Sequence, residues 1–231
     1  MALDERIVEA IVERYMEKDM ILAVGTGHMN EVFLRQIALK AHEKSLEISV
    51  VPTSVKLAEI ASTLKLKIVS INDADVDLAI EFADLVDRDF NFISIDTTSL
   101  VRDKMIGQSA AEMIVVAEEK NYVKQLSGVI PYEVTTFGAN HSLVRLDQFG
   151  KAKFRENANG DRYLTETGHY IIDVDTDAVF DLDDLQFQTK EVPGVLESGL
   201  FIDYADRILL HNKKIHLMSR IGPELEAKEE E

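Results

Sequence analysis

Between Ile80 and Lys104 the chain gathers Glu81, Asp84, Asp87, Asp89, Asp96 and Asp103 on short connections. Carboxylates act as general bases and acids when a fold holds them against a substrate proton. The apolar run Leu78–Ile80 just before them reads as a buried strand. In an α/β chain, acids at the end of such a strand fall at the carboxyl edge of the sheet, where these sheets bind ligands. From Thr97 onward the apolar spacing suits a helix with Thr97 or Thr98 as N-cap, which places Asp103 one to two turns in. Glu81 and Asp84 facing a helix-borne Asp103 make a general-base arrangement; a solvated acidic loop is the competing reading.

A second stretch with chemistry in its spacing is Gly25-Thr26-Gly27-His28, between an apolar strand (Met20–Val24) and a helix from about Asn30 to Lys44. Strand, glycine turn and helix together make an anion site, because free N–H groups meet the helix dipole there. A dinucleotide fingerprint is not completed. Its third glycine falls on Asn30, and the next strand, Ile48–Val51, lacks the terminal acid that would hold a ribose. His28 can donate to a phosphate when protonated, although a loop histidine is more often simply solvated.

The elements that must position these residues follow from hydrophobic period. Ile7, Val8, Ile11, Val12 and Tyr15 share one face of a first helix, and Leu57, Ile60, Ala61 and Leu64 one face of a helix begun by Thr53-Ser54. Lys67–Val69 and Met113–Ala117 add strands. The alternation predicts an α/β protein with a Rossmann-like parallel sheet. From Gly128 to about Leu196 the βα rhythm is lost: Tyr132–Thr136 alternates like a strand and Asn159-Gly160 signals a turn. The expected organisation is a main domain over 1–128 and 197–222, a smaller α+β insert over 129–196, and a disordered, solvating acidic tail over 223–231.

Composition narrows the function. The 231 residues are 46% hydrophobic and 29% charged, enough for a substantial core and a polar surface. A net charge of −17 opposes nucleic acid or an anionic membrane as partner. No apolar run approaches a membrane span, and the acidic start reads as an amphipathic helix rather than a signal peptide. Without cysteine there is no disulfide, thiolate metal site or cysteine nucleophile, and a cytoplasmic address is expected. Asp173, Asp175, Asp177, Asp181 and Asp184 imitate the spacing of a calcium loop, but Ala178 stands where glycine is needed and a strand-like run precedes it. The six histidines show no paired zinc spacing, and Ser94, Ser99 and Ser109 have no histidine nearby in sequence. No metal and no cofactor are expected.

Motifs along nearly the whole chain resemble the ribose-5-phosphate isomerase A family. VGTGHMNEVF is similar to its VGTGST loop and helix, with Gly25, Thr26 and Gly27 matched and His28 and Met29 in place of the hydroxyl pair. The family's DGADE loop corresponds to Glu81, Phe82, Ala83, Asp84 and Leu85. Its REK helix corresponds to Arg102-Asp103-Lys104, and its lysine–glycine turn to Ser94 followed by Ile95-Asp96-Thr97. TETGHYIID is similar to the TDNGN hairpin, with Gly168 at the turn. VPGVLESGLFIDYAD is similar to PGVVETGLF followed by AD, with Pro193, Gly194, Val195, Gly199, Phe201, Ala205 and Asp206 in place.

The resemblance implies a Rossmann-like domain with a ferredoxin-like insert, assembled as a homodimer or homotetramer. It implies a sugar-phosphate ligand and isomerisation of ribose 5-phosphate to ribulose 5-phosphate through an enediolate. Asp103 would be the base, with Glu81 and Asp84 binding sugar hydroxyls or shuttling the proton between O1 and O2. The loop Gly25, Thr26, Gly27 and His28 would hold the phosphate, with Ser94 at the lysine position. Asn121 stands at the family's phosphate-binding lysine, with Lys120 one residue off and Lys124 a turn on. Phe82, in place of glycine, is expected to enter the pocket, and the missing lysine and glycines leave open a catalytically impaired paralogue that only binds a ligand.

Overall fold

Short apolar runs become the strands of a central sheet that is buried on both faces. The computed structural model describes residues 3–221; the acidic stretch expected to be disordered lies outside them. Helix α1 (Glu5–Tyr15) leads to β1 (Ile21–Val24), α2 (His28–Glu43), β2 (Ser49–Val51), α3 (Val55–Thr63), β3 (Lys67–Ile68) and β4 (Val76–Phe82). There follow β5 (Leu85–Asp87), β6 (Phe92–Ile93), α4 (Leu100–Ser109), β7 (Ala110–Glu118), a 3₁₀ turn (Glu119–Asn121) and β8 (Tyr122–Val123). Then come β9 (Gly128–Val134), α5 (Ala139–Leu146), β10 (Lys151–Phe154), β11 (Tyr170–Thr176), α6 (Leu182–Lys190) and β12 (Val195–Ser198). The described chain closes with β13 (Leu200–Phe201), β14 (Arg207–His211) and β15 (Ile215–Ser219).

The main sheet runs β15-β14-β7-β4-β1-β2-β3, parallel throughout except for the antiparallel edge strand β15. Alternate residues of β4 fill separate layers. Leu78 and Ile80 join the cluster packed by Ile7, Ile11, Phe33, Ile37 and Leu57, while Ala79 joins the opposite cluster with Val115, Ile208 and Ile106. The stretch Gly128–Ser198 forms an antiparallel sheet ordered β10-β11-β9-β12. Its chain order, strand–helix–strand–strand–helix–strand, is the ferredoxin-like arrangement. A third sheet of very short strands, β13-β6-β5-β8, joins the other two and was not foreseen.

Several boundaries move. The helix after Thr97 is capped by Ser99, whose hydroxyl accepts from Arg102 N–H, rather than by Thr97 or Thr98. It stops at Ser109, and β7 begins at once. The calcium-like acids are dispersed: Asp173 and Asp175 lie in β11, where Asp173 pairs with Arg155 at 2.6 Å, and Asp181 caps α6. Among the described residues no group of acids and histidines is placed to hold a metal, and no helix is long and apolar enough to cross a membrane.

Gly199 marks the seam between the sheets. It donates to Pro131 O at 2.7 Å and accepts from Ser94 N–H at 3.0 Å, and a side chain there would press on both neighbours. Gly199→Ala should therefore destabilise the fold by about 1–3 kcal/mol, as overpacked sites do. Thermal unfolding checks this, with a fall in Tm of about 2–4 °C for each kcal/mol lost.

Candidate active site

The carboxyl ends of β1 and β4 and the first turn of α4 meet at one hydrogen-bonded hub. Asp103 is 3% exposed and Thr26 is 1% exposed. Asp103 Oδ1 accepts from Thr26 N–H at 3.1 Å; Oδ2 accepts from the hydroxyls of Thr26 at 2.9 Å and Thr97 at 2.6 Å. Each hydroxyl in turn accepts a backbone N–H, Thr98 onto Thr26 at 2.9 Å and Ser99 onto Thr97 at 3.0 Å. The donors are thus fixed in direction. Burial pushes the Asp103 carboxyl up to about 6, against the lowering effect of these hydrogen bonds.

Glu81, 2% exposed, stands beside it on the opposite face of β4 from Phe82. Its Oε1 accepts three longer bonds, from Asn30 Nδ2, Ser94 Oγ and Phe82 N–H, each at 3.2 Å. Its Oε2 lies against Gly25, where any side chain would collide with the carboxyl group. Burial first, and the Asp103 charge second, raise the Glu81 pKa well above the ordinary carboxylate range. The two carboxyls are thus unequal, with Glu81 raised by burial and by its neighbour's charge and Asp103 at about 6.

Thr26, Glu81, Ser94 and Asp103 are thus brought together, with Gly25 as the clearance that admits Glu81. Thr26 has a different task from the one expected, since its N–H and hydroxyl hold Asp103. Asp84 lies one step out at the β4–β5 turn, where its Oδ2 accepts from Ile95 N–H at 2.7 Å and burial raises its pKa. Gly27 adopts φ +100 with Asp96 pressed against it. His28 has an exposed side chain, and its backbone N–H donates to Asp96 Oδ2 at 2.9 Å. Lys120 is not part of the hub; its side chain is exposed and pairs with Glu118 at 2.7 Å.

One expectation is corrected. Phe82 does not enter the site: its ring packs edge-on against Phe33 of α2, with centroids 5.6 Å apart on the far side of the sheet. Asp103 itself is nearly enclosed, with 3% of its surface exposed. Clefts of about 440 and 410 Å³ lie elsewhere, one between Arg88 and Arg220, the other along Lys104, Met105 and Tyr204.

Other contributors were missed in the sequence. Asn30 bridges Glu81 and Thr26 O, the latter at 2.6 Å, and its own Oδ1 is buried without a partner. Glu133, an acid in the otherwise apolar strand β9, holds the start of α4 through Val101 N–H at 3.0 Å and Ser99 Oγ at 3.3 Å. The hairpin approaches the same carboxylate with Thr165 at 2.9 Å, Thr167 and His169 Nδ1 at 3.0 Å. Burial alone would raise the Glu133 pKa; the donors outweigh it and lower the value. A lone acid out of phase in a buried strand was the available signal. Behind α4, Lys104 donates to Leu200 O at 2.6 Å between the rings of Phe201 and Tyr204, and burial lowers its pKa to about 8.

The mostly parallel sheet with its ferredoxin-like insert is the fold of a class of sugar-phosphate isomerases. Solved ribose 5-phosphate isomerases share it. The protein from Methanocaldococcus jannaschii overlays with TM-score 0.85 at 24% identity, covering 94% of this chain and 97% of that one. A D-ribose-5-phosphate isomerase solved in complex with phospho-erythronic acid overlays with TM-score 0.84 at 27% identity, with the same coverage. The profile of ribose 5-phosphate isomerase A (phosphoriboisomerase A) matches residues 49–214, and the chain belongs to that family. Ribose-5-phosphate isomerase A of Staphylococcus aureus is 35% identical over 196 residues, 83% of this chain and 86% of that protein. Ribose-5-phosphate isomerase A 2 of Oceanobacillus iheyensis is 29% identical over 94% of this chain and 98% of that one.

The raised Asp103 pKa has a sign for stability. A carboxyl whose folded pKa lies above its unfolded value stabilises fully below the unfolded pKa and loses that contribution as pH rises through the folded one. For Asp103 the window runs from about 4 to about 6. Asp103→Asn should therefore gain stability relative to the parent as pH rises across that window, by on the order of 1–3 kcal/mol. Denaturant unfolding of both proteins at pH 4 and pH 8 measures the difference; an equal offset at both pH values would contradict it.

Proposed function

We propose that the chain is an aldose–ketose isomerase that interconverts ribose 5-phosphate and ribulose 5-phosphate through an enediolate. The observation that carries this reading is the unequal carboxyl pair, Asp103 with its pKa near 6 and Glu81 far above the usual range. Family membership supplies the substrate class, and the phospho-erythronic acid complex of a similar solved isomerase supports a phosphorylated, polyhydroxylated ligand.

In this reading the ionised Asp103 removes the C2 proton of the opened aldose and returns it to C1. Thr26 and Thr97 hold its lone pairs in a fixed direction. Glu81 keeps its proton and donates toward the enediolate oxygens, moving a proton between O1 and O2 as the double bond shifts. Asp84 takes sugar hydroxyls at the rim. Ser94 supplies a hydrogen-bonding hydroxyl and no positive charge. A lost oxyanion donor costs about 3–4 kcal/mol, so turnover is expected to be slow. That same neutral Ser94, together with the closed hub, favours as second reading a ligand-binding paralogue without turnover.

A coupled assay with ribose 5-phosphate separates the two. Turnover should fall at least about a hundredfold in Asp103→Asn, the usual scale for losing a general base. In the parent, kcat/KM should decline as pH drops below about 6, because protonated Asp103 accepts no proton. Absence of turnover at high protein concentration would leave the ligand-binding reading.

A further inference from the structure

Helix α2 has no side-chain cap of its own: Gly27 occupies the cap position and offers none. Asp96, from the loop before α4, supplies one instead. Its Oδ2 accepts from His28 N–H at 2.9 Å, and its carboxyl carbon and backbone oxygen lie directly over Gly27. An anion thus already sits where a phosphate would meet the positive end of α2. The neighbouring donors are spoken for as well, since the N–H and hydroxyl of Thr26 hold Asp103.

Arg102, Arg155 and the exposed Lys120 are each engaged. Arg102 pairs with Glu166 at 2.6 Å, Arg155 with Asp173 at 2.6 Å, and Lys120 with Glu118 at 2.7 Å. A phosphate dianion approaching the loop therefore meets backbone N–H groups and one exposed, uncompensated carboxylate. Like charge at hydrogen-bond distance opposes binding directly, and the overall charge of −17 does nothing to relieve it.

We propose that Asp96 is the residue that sets this site's affinity for phosphorylated sugars, its carboxylate occupying the phosphate seat at the start of α2 until substrate displaces it. The proposal rests on the isomerase reading for the identity of the ligand, while the competing role of Asp96 comes from its contact with His28 and Gly27. Asp96→Asn is the discriminating change. Asparagine still caps a helix, so the local structure is kept and only the charge is removed. Asp96→Ala removes both.

Calorimetric titration of ribose 5-phosphate, inorganic phosphate and unphosphorylated ribose into the parent and both variants tests it. Both variants should bind ribose 5-phosphate and inorganic phosphate about tenfold more tightly, the scale of one charge-assisted hydrogen bond. Affinity for ribose should not move. Unchanged or weaker phosphate binding in Asp96→Asn overturns the proposal, as does an equal gain for ribose or a lack of phosphate binding in all three proteins. Turnover is read separately. A parent that fails to isomerise but whose Asp96 variants gain phosphate affinity sinks the isomerase reading alone. Asp103-dependent turnover with phosphate affinity indifferent to Asp96 sinks this proposal alone.

Discussion

An ionised carboxylate is expensive inside a protein unless donors replace its lost water, and that constraint organises this molecule around Asp103. Its three donors come from two distant loops, and two of them are hydroxyls whose own lone pairs are filled by backbone N–H groups. Such an arrangement tolerates little rotation. It requires the turn after β1 to present Thr26, the turn before α4 to present Thr97, and Ser99 to start the helix. Lys104 then fixes the rear of the same helix turn on Leu200 O and two aromatic faces. Burial still outweighs the donors, so the carboxyl titrates at about 6 rather than in the ordinary carboxylate range.

The scarcity of positive charge has been met by backbone. Three helix starts near the hub each receive a carboxylate from another part of the chain: Asp96 at α2, Glu166 at α3 through Val55 N–H, and Glu133 at α4 through Val101 N–H. Each such contact is worth on the order of 0.3–2 kcal/mol, depending on burial. Glu133 is the most enclosed of the three, and its five donors tie the insert's hairpin to α4.

Much of this architecture was legible in the sequence. Apolar runs gave the central strands, the GTG turn gave the β1–α2 junction, and the family motifs gave the insert and the grouping of Thr26, Glu81, Ser94 and Asp103. What pattern could not supply was the direction of each bond. Thr26 looked like a donor for a ligand because nothing in a string of residues says that Asp103, far along the chain, uses it first. Phe82 was a different failure. Strand alternation already implied that, with Glu81 facing the site, its neighbour must face away. The two-residue strands of the third sheet lie below any periodic signal, and Glu133 was visible only as an unexplained acid among apolar neighbours.

Glu166 also accepts the guanidinium of Arg102, so one side chain of the hairpin clasps both α3 and α4 of the main sheet. The clasp is partly open to solvent, with 37% and 23% of the two side chains exposed. Dissolved ions weaken a pair of that kind far more than they weaken the enclosed contacts of Glu133. Electrolyte concentration therefore acts on the junction between hairpin and sheet while leaving the carboxyl pair beneath it untouched, making the hairpin the first part of the wall to loosen.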